Sequence, residues 1–234
     1  MTHSPGQVGS YSAEPGAPST RTFTPVDRES MNKFQIASII GLCGFAAEEV
    51  ASYALGYSLL NVHPVFSGFA PPLDLSILLT VVFAFTFVEI YLFRQSFRLL
   101  TPSEPRLRTP AELSIYALVG VLLIPAGLFG LYYGSMCAAN TSSHLAGCAI
   151  AGYAVAALAL AIGGVAVIIG YIAWLLGLWR VGTHYHERMF KIGMVLTVLP
   201  YLNVVGYILF IIASRKIGSE PALPDGRPTE SEGE

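Results

Sequence analysis

Two adjacent carboxylates, Glu48 and Glu49, fall in the middle of an uninterrupted apolar stretch, residues 34–60. A charge at the centre of a bilayer costs about 2.5–3.5 kcal/mol on insertion scales, so an acidic group there points to proton or cation handling or to a paired partner. Consecutive helical residues project about 100° apart, so the two carboxylates do not form a facing pair that shares one proton. Glu48 falls in line with Ala37, Gly41, Gly44, Ala51 and Ser52, a face of small residues, and is expected to point toward protein. Glu49 falls among Leu42, Phe45 and Tyr53. Three roles fit Glu48: a hydrogen-bonded group that only specifies packing, a proton or cation site, or a partner for a basic residue of another subunit.

Other polar groups at membrane depth are few. Glu89 precedes Arg94 by five residues and reads as a group that snorkels or pairs near one boundary. Pro200 and Asn203 lie near the midpoint of the last apolar stretch. Proline frees one helix carbonyl, and Asn203 either caps it or contributes to a polar pocket with Glu48. Cys137 and Cys148 bracket a polar loop, where a disulfide is expected if the loop faces an oxidising compartment; two free thiols are the alternative. Asn140-Thr141-Ser142 is a glycosylation sequon in that loop and agrees on its sidedness. Cys43, inside the first apolar stretch, reads as a small buried hydrophobe. His184 and His186 lack the further His or Cys that a metal site needs, so no metal is expected. No phosphate-binding glycine loop, zinc-protease motif or nucleophile elbow occurs, and neither an enzyme nor a cofactor is expected.

The elements that must carry these groups follow from composition. Hydrophobic residues make up 53% of the 234 and charged residues only 12%, half the proportion of ordinary soluble domains. The net charge of −2 offers no basic field for nucleic acid. Five stretches are long enough to span a bilayer, 34–60, 75–97, 112–136, 149–179 and 191–214. An all-α membrane bundle of five transmembrane helices over 31–216 is expected, between disordered tails at 1–30 and 217–234. The first apolar run lies behind a polar tail and is too long for the core of a signal peptide, and no lipidation motif is present.

Basic residues set the sidedness. With the N-terminus cytoplasmic, Arg21, Arg28, Lys33, Arg94, Arg98, Arg106, Arg108, Arg180, Arg188 and Lys191 are inside, ten of the 13 Lys and Arg. Five spans leave Arg215, Lys216 and Arg227 outside. An alternative makes 34–60 a re-entrant segment and leaves four spans. A plasma-membrane location is expected.

The fourth stretch carries a regular pattern. Gly152, Ala156, Ala159, Gly163, Ala166, Gly170, Ala173 and Gly177 alternate spacings of four and three, a seam of small residues along one face. Small residues let two helix backbones approach closely, and a 3.5-residue period implies left-handed packing. Gly120, Gly127 and Gly134 recur at seven-residue intervals on the third stretch. The pair is expected to pack as a hairpin, with homodimerisation as the competing use of the seam.

The segment FKIGMVLTVLPYLNVVGYILFIIASRK, with Gly193, Pro200, Gly206 and the terminal Arg215-Lys216, resembles the final spans of small archaeal multi-spanning membrane proteins of unknown function. The resemblance covers about a tenth of the chain and implies no activity. The expected role is an accessory or scaffold subunit acting by helix–helix association. Its partners would be the lipid bilayer and either a second copy or another member of a membrane complex. The alternative is a small transporter or a proton or cation conduit using Glu48.

Overall fold

The computed structural model describes residues 24–61, 73–139, 146–199 and 201–219, which are helical with short connections. The order is α1 (Pro25–Asn61), α2 (Leu73–Leu100), a 3-10 turn (Pro105–Leu107), α3 (Arg108–Ala139), α4 (Ala146–His184), α5 (Arg188–Val198) and α6 (Asn203–Gly218). Four helical segments are long and apolar enough to cross a membrane: Pro25–Tyr53, Leu79–Leu100, Pro105–Ala138 and Gly147–His184.

The fifth expected span is not one helix. Residues 191–214 are divided between α5 and α6, which fold back on each other. Leu199 leaves the helical region at φ −88°, ψ 127°. The residue before a proline is pushed to such an extended conformation by the proline ring, and residue 200 is proline in the sequence. Tyr201 then adopts a left-handed φ of 64°, which completes the reversal. A Cβ added at Gly193 would stand 3.1 Å from the Gly206 carbonyl, and one at Gly206 would stand 2.7 Å from the Gly193 carbonyl. Only glycine admits that approach of two backbones. With 11 and 16 residues, α5 and α6 reach about 16 and 24 Å, short of the ~30 Å hydrocarbon core.

The reversal brings the C-terminal end of α6 to the N-terminal end of α1. A Cβ at Gly218 would lie 3.8 Å from Met31, and Lys216 Nζ pairs with Glu187 at 2.7 Å. Arg215 and Lys216 therefore stand at the same end as Arg28, Lys33, Arg98, Arg106, Arg108, Arg180, Arg188 and Lys191. The chain reversal is at the C-terminal end of the fold, whereas α1 is a continuous 37-residue helix with no reversal within 34–60.

Two tail boundaries also shift. Helix α1 begins at Pro25, within residues assigned to the N-terminal tail, because Asp27 and Ser30 are anchored. Thr24 donates its backbone N–H and its hydroxyl to Asp27 Oδ2 at 3.0 and 2.8 Å, and Tyr185 donates to Asp27 Oδ1 at 2.7 Å. Ser30 Oγ donates to the Ser96 carbonyl at 3.1 Å. At the other terminus, Ile217 is buried and ends the core rather than opening a tail.

The core lies toward the basic end, where α1, α2, α4, α5 and α6 converge. Phe34 meets Phe93, Phe97 and Phe190 edge-on at 5.4, 5.5 and 5.7 Å. Edge-to-face rings at such separations gain about 0.5–1.5 kcal/mol beyond the area they bury. Phe190 stacks on Phe210 at 5.8 Å, which joins the two arms of the hairpin, and the Phe34–Phe190 contact joins the hairpin to α1.

Candidate functional site

The polar centre of the fold joins three helices. Tyr207 Oη on α6 donates to Glu89 Oε1 on α2 at 2.6 Å, and both side chains are partly buried. Gly41 on α1 lies beneath them. A Cβ there would stand 2.5 Å from Tyr207 Cε1 and 2.6 Å from Glu89 Oε1. The small-residue face of α1 is therefore needed to admit this pair. Along α2, Glu89 lies nine residues from Arg98, about 14 Å and close to half a bilayer's hydrocarbon thickness. A carboxyl group packed inside the fold gains more from a phenolic donor than it would in water. Glu89 is thus engaged inside the fold rather than snorkelling to a boundary.

Glu48 stands elsewhere than expected. It is exposed on the surface of the chain, as is Glu49. The reason is the broken fifth span. Met31 pairs with Gly218 and Gly41 with Tyr207, so α1 and α6 run antiparallel. Continued along both helices, that register sets Asn203, the first residue of α6, level with Phe45 and Ala46. Helix α6 ends before it can cover Glu48. Asn203 turns to its own helix start, where Oδ1 accepts from the Val204 backbone N–H at 2.8 Å. It makes no hydrogen bond to Glu48 among the described residues. Cys43 is exposed rather than buried, on the outer side of the same helix.

Beside this centre, Tyr171 on α4 donates to the Thr197 carbonyl at 3.5 Å, near the end of α5. Trp174 packs against Tyr171, Phe93 and Phe210 at ring separations of 5.6, 5.5 and 6.2 Å. Its indole N–H is buried and has no hydrogen-bond partner among the described residues.

The seam on α4 lies against α3. A Cβ at Gly170 would stand 2.2 Å from Ala117 Cβ, and one at Gly120 would stand 2.7 Å from the Gly163 carbonyl. Gly127 meets Leu160, Gly130 meets Ala156, and Gly134 meets Tyr153, all in one antiparallel register. Ala156, Ala159, Ala166 and Ala173 are buried on the same line, and Gly152 faces Gly134. Gly177 departs from α3 and receives the ring of Phe97 from α2. A disulfide joins Cys137 to Cys148 at the far end of this hairpin, with Cα atoms 5.9 Å apart. Asn140 lies outside the described residues.

At the basic end, His184 Nδ1 lies 3.3 Å from Glu104 Oε2, and Arg180 donates to the Arg106 carbonyl. Among the described residues no three His, Cys, Asp or Glu side chains are grouped to hold a metal ion. Two grooves open at this end. One is lined by Arg28, Asn32, Gln35 and Arg215, the other by Arg98, Thr101 and Arg108. Neither is lined by Glu48 or Glu89.

A family model described as protein of unknown function (DUF973) matches residues 34–230. The chain belongs to this family. The match takes in the Glu89–Tyr207 centre, the α3–α4 seam and the broken hairpin alike, so all three fall within the DUF973 region. No curated protein and no solved structure matches the chain.

Sequence reasoning missed Tyr207 as the partner of Glu89 and missed the anchor of Asp27 by Tyr185. The signal for the first was present on one side only: a glycine at position 41 marks a place where something bulky must fit. The partners themselves, 118 positions apart for Tyr207 and Glu89, left no local trace.

Proposed function

We propose that this chain is a multi-spanning integral membrane protein that acts by association, as an accessory or scaffold subunit, with its N-terminus cytoplasmic. One observation carries this reading. The packed carboxylate, Glu89, is engaged by Tyr207 within the chain, whereas Glu48 and Glu49 stand exposed on α1, inside a segment long and apolar enough to cross a membrane. Fifteen residues, about 22 Å of helix, separate Glu48 from Lys33 at the basic end. A carboxylate exposed to hydrocarbon is costly, and a neighbouring chain that supplies a donor or cation relieves that cost. Light scattering of the protein in mild detergent tests this. An assembly larger than one chain is expected, kept by Glu48→Gln and lost with Glu48→Leu. A single-chain species unaffected by either change would overturn it.

A second reading is favoured by the break between α5 and α6. Non-helical backbone at membrane depth is tolerated only where protein buries it or where it lines a water-filled cavity. Discontinuous helices of this kind hold ions in transporters. In that reading Glu48 serves a proton or cation path. Flux in proteoliposomes that Glu48→Gln abolishes, in a stably folded variant, would establish it over the first.

A further inference from the structure

We propose that the groove between the start of α1 and the end of α6 binds a phosphate group, borne by an anionic lipid. The proposal rests on the membrane reading above but not on the scaffold role. The groove has a volume of about 530 Å³ and is lined by Arg28, Asn32 and Gln35 from α1 and by Arg215 and Ser219 at the end of α6. Arg28 and Arg215 are exposed and have no ion-pair partner among the described residues. Glu29 also lines the groove, but Lys33 engages its carboxylate at 3.0 Å. Two arginines and two amide-bearing residues thus line one cleft whose single acidic residue is already paired with Lys33. Guanidinium forks match phosphate oxygens in pairs, which favours phosphate over a simple halide.

The level of the groove identifies the bearer. It lies at the end where the described Lys and Arg gather. There Lys191 Nζ sits 5.2 Å from the centre of the half-exposed Trp179 ring, an amphipathic pairing suited to the headgroup region. Below the groove the lining turns apolar at helical spacing. Ile36 and Ile39 continue the stripe on α1, and Ile208 and Ile212 continue it on α6, all four exposed. A polar cleft that runs into an exposed apolar furrow fits a ligand with an anionic head and acyl chains. Basic pockets between helices on the cytoplasmic side take lipid headgroups of this kind.

The test uses the full chain in an uncharged mild detergent, titrated with phosphatidylglycerol or with phosphatidylcholine of the same acyl chains. Bound lipid is read by native mass spectrometry. The wild type should retain phosphatidylglycerol preferentially, and Arg28→Gln/Arg215→Gln should reduce that retention about thirtyfold, the effect of two interfacial cations. Each single change should lose part of it, and Arg106→Gln, outside the groove, should lose none. Equal retention by the double variant and the wild type overturns the proposal, as does a wild type that does not distinguish the two lipids. Inorganic phosphate is the third probe. Stabilisation by inorganic phosphate equal to that by phosphatidylglycerol, and dependent on the same arginines, overturns the lipid assignment in favour of a free anion. Carbonate extraction separates the two levels of the argument. Protein that stays in the membrane fraction yet shows no lipid preference sinks this proposal alone, whereas extractable protein sinks the membrane reading.

Discussion

The Tyr207 hydroxyl meets the Glu89 carboxylate at 2.6 Å directly over Gly41, so one hydrogen bond fastens the C-terminal hairpin to α2 on a platform supplied by α1. Three helices meet through two side chains and a glycine, and each has a different failure mode. Tyr207→Phe keeps the ring but leaves Glu89 without its donor, which should cost about 1–3 kcal/mol. Glu89→Gln keeps an oxygen acceptor and should cost less. Thermal unfolding in detergent, followed by fluorescence-detected gel filtration, gives the order. Equal losses for the two variants would mean that the bond itself matters little.

Gly41→Val tests the platform. Its side chain would enter space held by Tyr207 Cε1 and Glu89 Oε1, both nearer than 3 Å to a first carbon there. Overpacking of this kind should destabilise by about 1–3 kcal/mol. Gly164→Ala is the matching control, since a Cβ there meets nothing within 4 Å. It should be neutral or stabilise by up to about 1 kcal/mol, the helical advantage of alanine over glycine. A melting shift of the same sign and size in both variants would refute the account of Gly41.

On the seam, Gly170→Leu and Gly163→Leu should force α3 and α4 apart, at a cost of at least about 1–3 kcal/mol. Gly170 faces the backbone of Ala117, which cannot move aside as a side-chain tip can. Val165 and Ile169 face outward, so leucine at those positions should be tolerated. Matching losses at all four positions would reduce the seam to mere composition.

The hairpin makes a topological prediction. In a Cys43→Ala background, a cysteine at Ser219 should react with a membrane-impermeant maleimide from the same side as one at Ser103. Five crossings would place Ser219 on the side of the 140–145 loop instead. Labelling of Ser219→Cys together with that loop, and not with Ser103→Cys, would restore the straight fifth span.

How much of this was legible in the chain depended on the range of the interaction. The α3–α4 register could be read because small residues repeat at spacings of three and four, a local property that survives in one dimension. The reversal at Leu199–Leu202 was half-visible. Pro200 marked a bend, but a bend and a full reversal share that signal. Gly193 and Gly206, flanking it almost evenly, held the remaining information, since two glycines at such spacing permit the arms to touch. The awkward placement of Arg215 and Lys216 opposite the other cations was a further sign. Glu48 was misplaced for a related reason: its small-residue face is real, yet the helix expected to cover it stops short. Glu89 and Tyr207 had no such trace, because neither residue type nor spacing says which of two distant helices will adjoin.

The hairpin also has a consequence in time. Phe34 touches Phe190, and Phe190 touches Phe210, so the aromatic cluster at the basic end draws on both the first and the last helix of the fold. In the membrane reading proposed above, α1 through α4 enter a bilayer one after another during synthesis, each long enough to be held there alone. Helices α5 and α6 are too short for that and gain their place only by docking on helices already inserted. Until the ribosome has released Phe210 and Ile217, Phe34 and Met31 wait with an unfilled side. A nascent chain halted before α6 should therefore be membrane-bound yet open to proteolysis at its basic end, and closure should come as a single late event.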